Sequence, residues 1–479
     1  MRLSLGAIPV LVCALASAGC GEEDETEPPP KPAKDAAAPP ACPAGEAKLD
    51  EGECEPAGIP ASACGQGFTY DGRGGCTPVL PDGVCPDGQM AIPGEAACRE
   101  VAPCGSDPWG DIPVDADTQY VDGSYPGTDS DGSAERPWTT ISAAISAASS
   151  GALVAIAAGT YSEDVAVVGK GVRLWGRCPK LVGVRGQTVG NPAVDLRAGG
   201  AELRGVAVTG PGLGVAVTNA KDVVVDQVWI HDTGDIGAYF SIALGPAAAR
   251  LSGSLVEAAG GFGVYVDGAE LTMESSVSRE SHATAMGPGT GLSCLDSLQK
   301  GSPCKLTVSG SLIEQVMGVG LMVGASEATI DGSVIRDVEV DENKAGGFGL
   351  EVIHNPNNDP GTATMRASVV ERTRGMGIST YGSSLTLDAT AVLDTLPGGD
   401  MRFGRGIYAV ENRDTGHRSQ LKVTRSLVDH AHETGIFVLG SDGTITSTWV
   451  RDTQVQVTDQ QGGARSRLRS AATPVSAPR

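Results

Sequence analysis

From residue 251 onward one short pattern recurs: an apolar residue, two residues, Ser or Thr, one residue, then Val or Ile. It reads Leu251/Ser254/Val256, Val308/Ser311/Ile313, Ile330/Ser333/Ile335 and Met365/Ser368/Val370, and continues as Leu387/Thr390/Val392, Val423/Ser426/Val428 and Ile445/Thr448/Val450. Met273/Ser276 fits with Ser278 in the last slot. The apolar anchor advances by 22, 35, 22, 35, 22, 36 and 22 residues. A second anchor, usually Gly-x-Gly before an aliphatic residue, falls at Gly263, Gly291, Gly320, Gly349, Gly377, Gly406 and Gly435, in steps of 28 or 29. The unit is therefore two coils of 57–58 residues, one minimal and one expanded. Twenty-two residues hold three short strands and their turns, not a helix pair. Self-similarity at this period means a solenoid, in which no coil buries its apolar face until a neighbour stacks on it. Parallel stacking predicts hydroxyl ladders at the Ser/Thr positions and glycines aligned at a tight corner.

Composition agrees. Only 4% of residues are aromatic while 67 of 479 are Gly, which suits many short strands and turns. The formal charge of −23 argues against nucleic acid or an anionic membrane surface as partner. No apolar run reaches the ~18 residues needed to span a bilayer.

Upstream of the coils, the segment YVDGSYPGTDSDGSAERPWTTISAAISAA and the later VAIAAGTY place a short capping helix, Thr140 to Ala148, before a first strand, Leu153–Ala157. With the coils that follow, this text resembles the right-handed parallel β-helix proteins of the pectin-lyase-like superfamily, over residues 117–460. The resemblance implies an all-β fold. It is weak for function, because that superfamily holds lyases, hydrolases, isomerases, adhesins and tailspikes. Its pectate-lyase-type members use clustered Ca²⁺-binding Asp with a basic residue, and its polygalacturonase-type members several Asp on neighbouring coils. Neither set is laid out here at one level of the coils.

The N-terminus reads as an address. Residues 1–19 carry Arg2, an apolar stretch and small residues, a secretory signal. Ser17-Ala18-Gly19-Cys20 resembles a bacterial lipobox, with Ser17 where Leu is commonest, and implies acylation at Cys20. Simple cleavage after Ala18 or Gly19 is the alternative. Residues 20–41 are acidic, then Pro-rich, and read as an extended tether. Together these predict a lipid-anchored envelope protein, at the outer membrane, whose only contact with the membrane is the anchor.

Residues 42–104 hold three units that open Cys-x-x-Gly and close on Cys: Cys42/Cys54, Cys64/Cys76 and Cys85/Cys98. Export makes disulfides the expected state. Pairing within each unit is the simplest of 105 connectivities for eight cysteines and leaves Cys104 for Cys178. The region has no CxxC pair and no His, which speaks against zinc. Such modules predict a disulfide-stapled stalk. Cys294 and Cys304 bracket a loop and are expected to close it. Residues 461–479 lack a strand pattern and read as a disordered tail, so the rod stops mid-coil.

The expanded coils add residues in two places, predicting two rows of loops: 279–289, 338–347 and 395–404 in one, and 293–305, 353–362 and 411–420 in the other. Members of a row fall two coils apart, ~9.6 Å, close enough to form a groove edge. Candidate ligand-binding residues are Arg402, Arg405, Arg413, His417 and Arg418, a set able to grip an anionic glycan. Asp337, Glu339 and Asp341 are a weak candidate Ca²⁺ cluster, against a solvated acidic loop, and no other cofactor is implied. Asp129 and Asp131 read equally as Ca²⁺ ligands or Asx-turn residues. His430 and His432 are a candidate metal or acid/base pair, against an ordinary exposed pair. No catalytic residue is identifiable. The first functional reading is a non-catalytic rod that displays loops to a polysaccharide or cell surface. The alternatives are a polysaccharide lyase or glycosidase and a purely structural envelope component.

Overall fold

The computed structural model describes residues 42–43, 45–48, 53–106, 108–284, 289–399, 401–455 and 475–476. The signal segment 1–19, Cys20 and the tether 20–41 lie outside the described residues. The chain winds into a right-handed parallel β-helix of about 11 turns, the hand that a twisted parallel crossover favours. Each coil contributes one strand to each of three sheets. The first sheet runs from Gln119–Val121 to Asp442–Thr446, the second from Gly159–Tyr161 to Trp449–Arg451, and the third from Val165–Val168 to Ile436–Leu439.

The repeat positions land where stacking requires them. At the corner between first and second sheets, the Ser276 hydroxyl accepts from Ser254 N at 3.1 Å, Ser311 from Ser276 N at 3.2 Å and Ser333 from Ser311 N at 3.2 Å. Each hydroxyl also donates to the carbonyl two residues before it, as Ser311 Oγ does to Ser309 O at 2.9 Å. The buried backbone at this corner is thereby satisfied coil by coil. The Gly-x-Gly residues line the next corner. A Cβ on Gly320 would sit 2.6 Å from Gly349 O and 2.5 Å from the Ile335 side chain. Close approach of coils demands the second glycine of each pair, while the first takes left-handed backbone, with φ of 78° at Gly347 and 92° at Gly375.

Helix α1 (Ile141–Ala147) caps the first coil. Thr140 Oγ1 accepts from Ala143 N, and the Glu163 carboxylate accepts from Ile141 N at 2.8 Å and Ser142 N at 3.0 Å. Ile141, Ala144 and Ile145 face the core. At the other end the last described coil finishes at the second-sheet strand Trp449–Arg451. Most of the expected tail lies outside the described residues, but Val475–Ser476 pairs antiparallel with Asp442 and Gly443.

All five expected disulfides form: Cys42–Cys54, Cys64–Cys76, Cys85–Cys98, Cys104–Cys178 and Cys294–Cys304. The first three each staple a small antiparallel hairpin. These modules do not project as a stalk. They lie as a strap along the outer face of the second sheet, running back from the last coils to the first. Gly58 N donates to Ser447 O at 3.0 Å, Gly88 N to the Glu257 carboxylate at 2.9 Å, and Arg177 Nε to Cys104 O at 2.8 Å.

Two columns on the second sheet receive the strap. Leu255, Val277, Leu312, Val334, Val369, Ala391 and Leu427 are in register and bury against Ile59, Cys76, Met90 and Val101. Two residues further along each strand stands a ladder of alternating charge: Glu257, Arg279, Glu314, Arg336 and Glu371, then Leu393, then Asp429 and Arg451. Arg279 is 1% and Glu257 3% exposed. Arg279 Nε donates to Glu257 at 2.8 Å, and its Nη2 also reaches Pro86 O in the strap at 3.2 Å. Pairing of this kind is what lets charges be buried at all.

Candidate functional site: a groove over the third sheet

The third sheet is flanked on both sides by long loops. The row 279–289, 338–347 and 395–404 precedes its strands, and the row 293–305, 353–362 and 411–420 follows them. Members of a row touch, as their spacing predicts. Asn355 Nδ2 donates to Asp296 at 2.8 Å and Asn412 Nδ2 to Asn358 Oδ1 at 2.8 Å, tying the second row together. In the first row Gly399 packs so closely on Lys344 that a Cβ would fall 2.3 Å from the Lys344 Cβ.

The floor between the rows is aromatic at both ends. One column in register carries Tyr239 and Tyr265, then Ser293, Met322, Glu351 and Ser379, then Tyr408 and Phe437. Tyr239 stacks on Tyr265 at 5.7 Å and Tyr408 on Phe437 at 5.4 Å. Five coil steps separate the pairs, ~24 Å, the length of an extended oligomer rather than one small ligand. Arg405 lies over Phe403, Tyr408 and Phe437, at 4.7, 5.0 and 4.3 Å from the ring centres, with Glu433 at 2.8 Å holding its charge. Cation–π contact and ion pair together fix the guanidinium as part of the platform.

Glu351 stands in the middle of the floor, between Met322 and Ser379. It is partly buried, and among the described residues no donor or cation pairs with its carboxylate. Desolvation pushes its pKa up to about 7. Burial and the nearby Glu351 charge both raise the neighbouring Tyr381 phenol. A second recess, about 680 Å³, opens beside the Cys294–Cys304 loop, where Lys221, Lys300 and Lys305 line it with Ile242, Leu244 and Glu270.

The five candidate binding residues are not brought together. Arg402 and Arg405 lie at the start of strand Arg405–Val410, and Arg413, His417 and Arg418 beyond its end. Six residues of strand, ~20 Å, separate the two groups. Arg418 is held by Asp442 at 2.8 Å, while Arg413 and His417 are exposed on the loop. The acidic trio is also dispersed. Asp337 pairs with Arg372 at 2.6 Å, Glu339 with Arg374, and Asp341 accepts from Ala345 N at 2.8 Å within its own turn. Asp131 accepts from Ser133 N at 3.0 Å as an Asx turn, while Asp129 accepts from Tyr125 OH at 2.8 Å. His432 Nδ1 is 3.0 Å from Thr395 O, while His430 turns to Asp429. The sequence reading does not single out the aromatic floor or Glu351. Their signal is the residue two places after each Gly-x-Gly anchor, which is Tyr265, Tyr408 and Phe437 in three coils and Glu351 in another.

Neither a family model nor a curated protein matches the sequence. Solved structures similar to the chain include a pectate lyase (11% identity, TM-score 0.39), which covers 72% of this chain and 81% of its own. An alginate lyase from Paenibacillus sp. str. FPU-7 is 13% identical with a TM-score of 0.41, over 52% of this chain and 92% of its own. The A-module of a mannuronan C-5 epimerase from Azotobacter vinelandii is 11% identical with a TM-score of 0.42, over 62% and 91%.

Proposed function

We propose that this chain binds polysaccharide along the groove over its third sheet and does not cleave it. The carrying observation is the pair of aromatic platforms, Tyr239/Tyr265 and Tyr408/Phe437, at the two ends of a loop-walled floor. Rigid aromatic faces with polar loops beside them suit the apolar faces and hydroxyl rims of sugar rings. The lysine-lined recess adds affinity for acidic sugars. Acylation at Cys20 tethers the rod to the envelope, at the outer membrane, through the linker 20–41.

What speaks against cleavage is the floor itself. Glycoside hydrolysis uses two carboxylates, ~5–9.5 Å apart, across the scissile bond. Glu351 has Met322 and Ser379 as its neighbours on adjacent coils. One observation favours the enzymatic reading: a lone carboxyl with a pKa of about 7 is suited to general acid or base catalysis. The test places the full chain on a panel of anionic and neutral polysaccharides, reading retention and newly formed reducing or unsaturated ends together. Retention without new ends, equal in Glu351→Gln, supports the binding rod. New ends that vanish in Glu351→Gln make the protein an enzyme. Neither signal leaves a structural envelope role.

A further inference from the structure

We infer a divalent transition-metal site at the C-terminal end of the second sheet, built by Asp429, His430 and Asp452. One ligand atom from each lies within 4.8 Å of the others, the one such His/Cys/Asp/Glu grouping among the described residues. Two adjacent coils supply it. Asp429 is in register with Arg451, so the next residues, His430 and Asp452, follow as neighbours. Both take left-handed backbone, with φ of 53° and 49°, a conformation that turns each side chain out of the strand direction.

Asp429 supplies the independent sign of a ligand. Its side chain is 10% exposed, and Arg451 holds Oδ2 at 2.7–2.8 Å. That pair fixes the carboxylate so that Oδ1 lies beside His430 Nδ1, 3.0 Å away. Oδ1 is buried, and no donor meets it in hydrogen-bond geometry, the His430 ring nitrogen 3.0 Å away included. An orphaned carboxylate oxygen is costly to bury, and a shared cation would satisfy it. The 3.0 Å separation is also what two ligands of one ion adopt.

The donor set selects the ion. One imidazole nitrogen with two carboxylate oxygens suits Zn²⁺, Co²⁺ or Mn²⁺. Ca²⁺ prefers six to eight oxygens and no imidazole. Arg451 then acts as the outer partner that orients a ligating carboxylate, while its charge tempers affinity. His430 is 53% exposed, which leaves coordination positions open to water or to a donor from another molecule.

The full chain, stripped by chelation, is titrated with Co²⁺ by visible absorption and with Zn²⁺ by calorimetry. His430→Asn and Asp452→Asn keep residues that tolerate left-handed backbone while removing the imidazole or the charge. Both are expected to weaken binding roughly tenfold or more, the scale seen when metal-site partners are lost. His432→Asn and Asp337→Asn are expected to leave it unchanged, and Zn²⁺ to raise the melting temperature of the wild-type chain but not of His430→Asn. No binding by the wild type overturns the site. So does binding shared equally by His430→Asn, or lost equally in His432→Asn.

Discussion

The second and third sheets are built from the same coils, yet one is closed and the other open. From Leu255 to Leu427 the second-sheet strands turn an apolar residue outward, and a disulfide-stapled strap covers that column. The neighbouring charge ladder, Glu257, Arg279, Glu314, Arg336 and Glu371, is buried with it. Third-sheet strands instead turn outward aromatic rings and the Glu351 carboxyl, which has no partner among the described residues, and loops wall the face without covering it. Charge can be buried on the closed face because each residue of the ladder has its opposite one coil away. The open face keeps groups that find no partner among the described residues. We therefore assign the polysaccharide to the third sheet, and the metal ion to the end of the second sheet where Asp429 Oδ1 lacks a donor.

The steepest loss should come on the closed face. Arg279→Ala leaves the buried Glu257 without its cation, and should cost ~3–5 kcal/mol in denaturant unfolding. A loss under ~1 kcal/mol would mean that the strap does not seal the ladder from water.

On the open face, Glu351→Gln should have the opposite sign. The folded pKa of about 7 lies above the ordinary 4.5. The neutral form is therefore the one the fold favours, with that stability fully present below pH 4.5 and lost as pH rises through 7. Above that window the wild type forfeits about 3 kcal/mol, which the Gln variant should recover. Melting curves of both proteins from about pH 4 to pH 9 check this; parallel curves would show that Glu351 is well solvated.

Smaller changes should appear in binding. Tyr408→Ala and Phe437→Ala should each weaken polysaccharide retention about 3–10-fold, the worth of one aromatic contact. Affinity electrophoresis reads this, and unchanged retention in both would remove the platform from the site. An exposed ion pair should matter least: Arg374→Ala, opposite Glu339, should change stability by under ~1 kcal/mol. A larger loss in chemical unfolding would show that the loop row at 338–347 is braced as firmly as the strap.

What the sequence discloses depends on which residues repeat. The coils and their Ser/Thr and Gly ladders follow from spacing, because stacked repeats must place like residues in register, and the five disulfides match the simplest pairing of their cysteines. The strap does not follow from spacing, although its mark is present. The slot between Ser and Val in the repeat is apolar in coil after coil (Leu255, Val277, Leu312, Val334, Val369), so these strands are apolar on both faces, as covered strands are. The residue after the motif alternates in charge from Glu257 to Glu371 until Leu393 breaks the phase. Proximity in sequence is a poor guide to a binding cluster here, since Arg402 and Arg418 belong to one coil but to opposite ends of a strand. The groove floor stays hidden because its aromatic residues recur in only some coils.

If the third sheet is the open, ligand-facing side and the strap-covered second sheet is not, hydrogen–deuterium exchange of the full chain will separate them. It is measured with and without a retained polysaccharide. New protection is expected in strands Met376–Tyr381 and Arg405–Val410 and in loops 353–362 and 411–420, with none in residues 57–104. Protection confined to the strap, or to the first-sheet strands Glu327–Asp331 and Ser384–Asp388, would contradict that assignment.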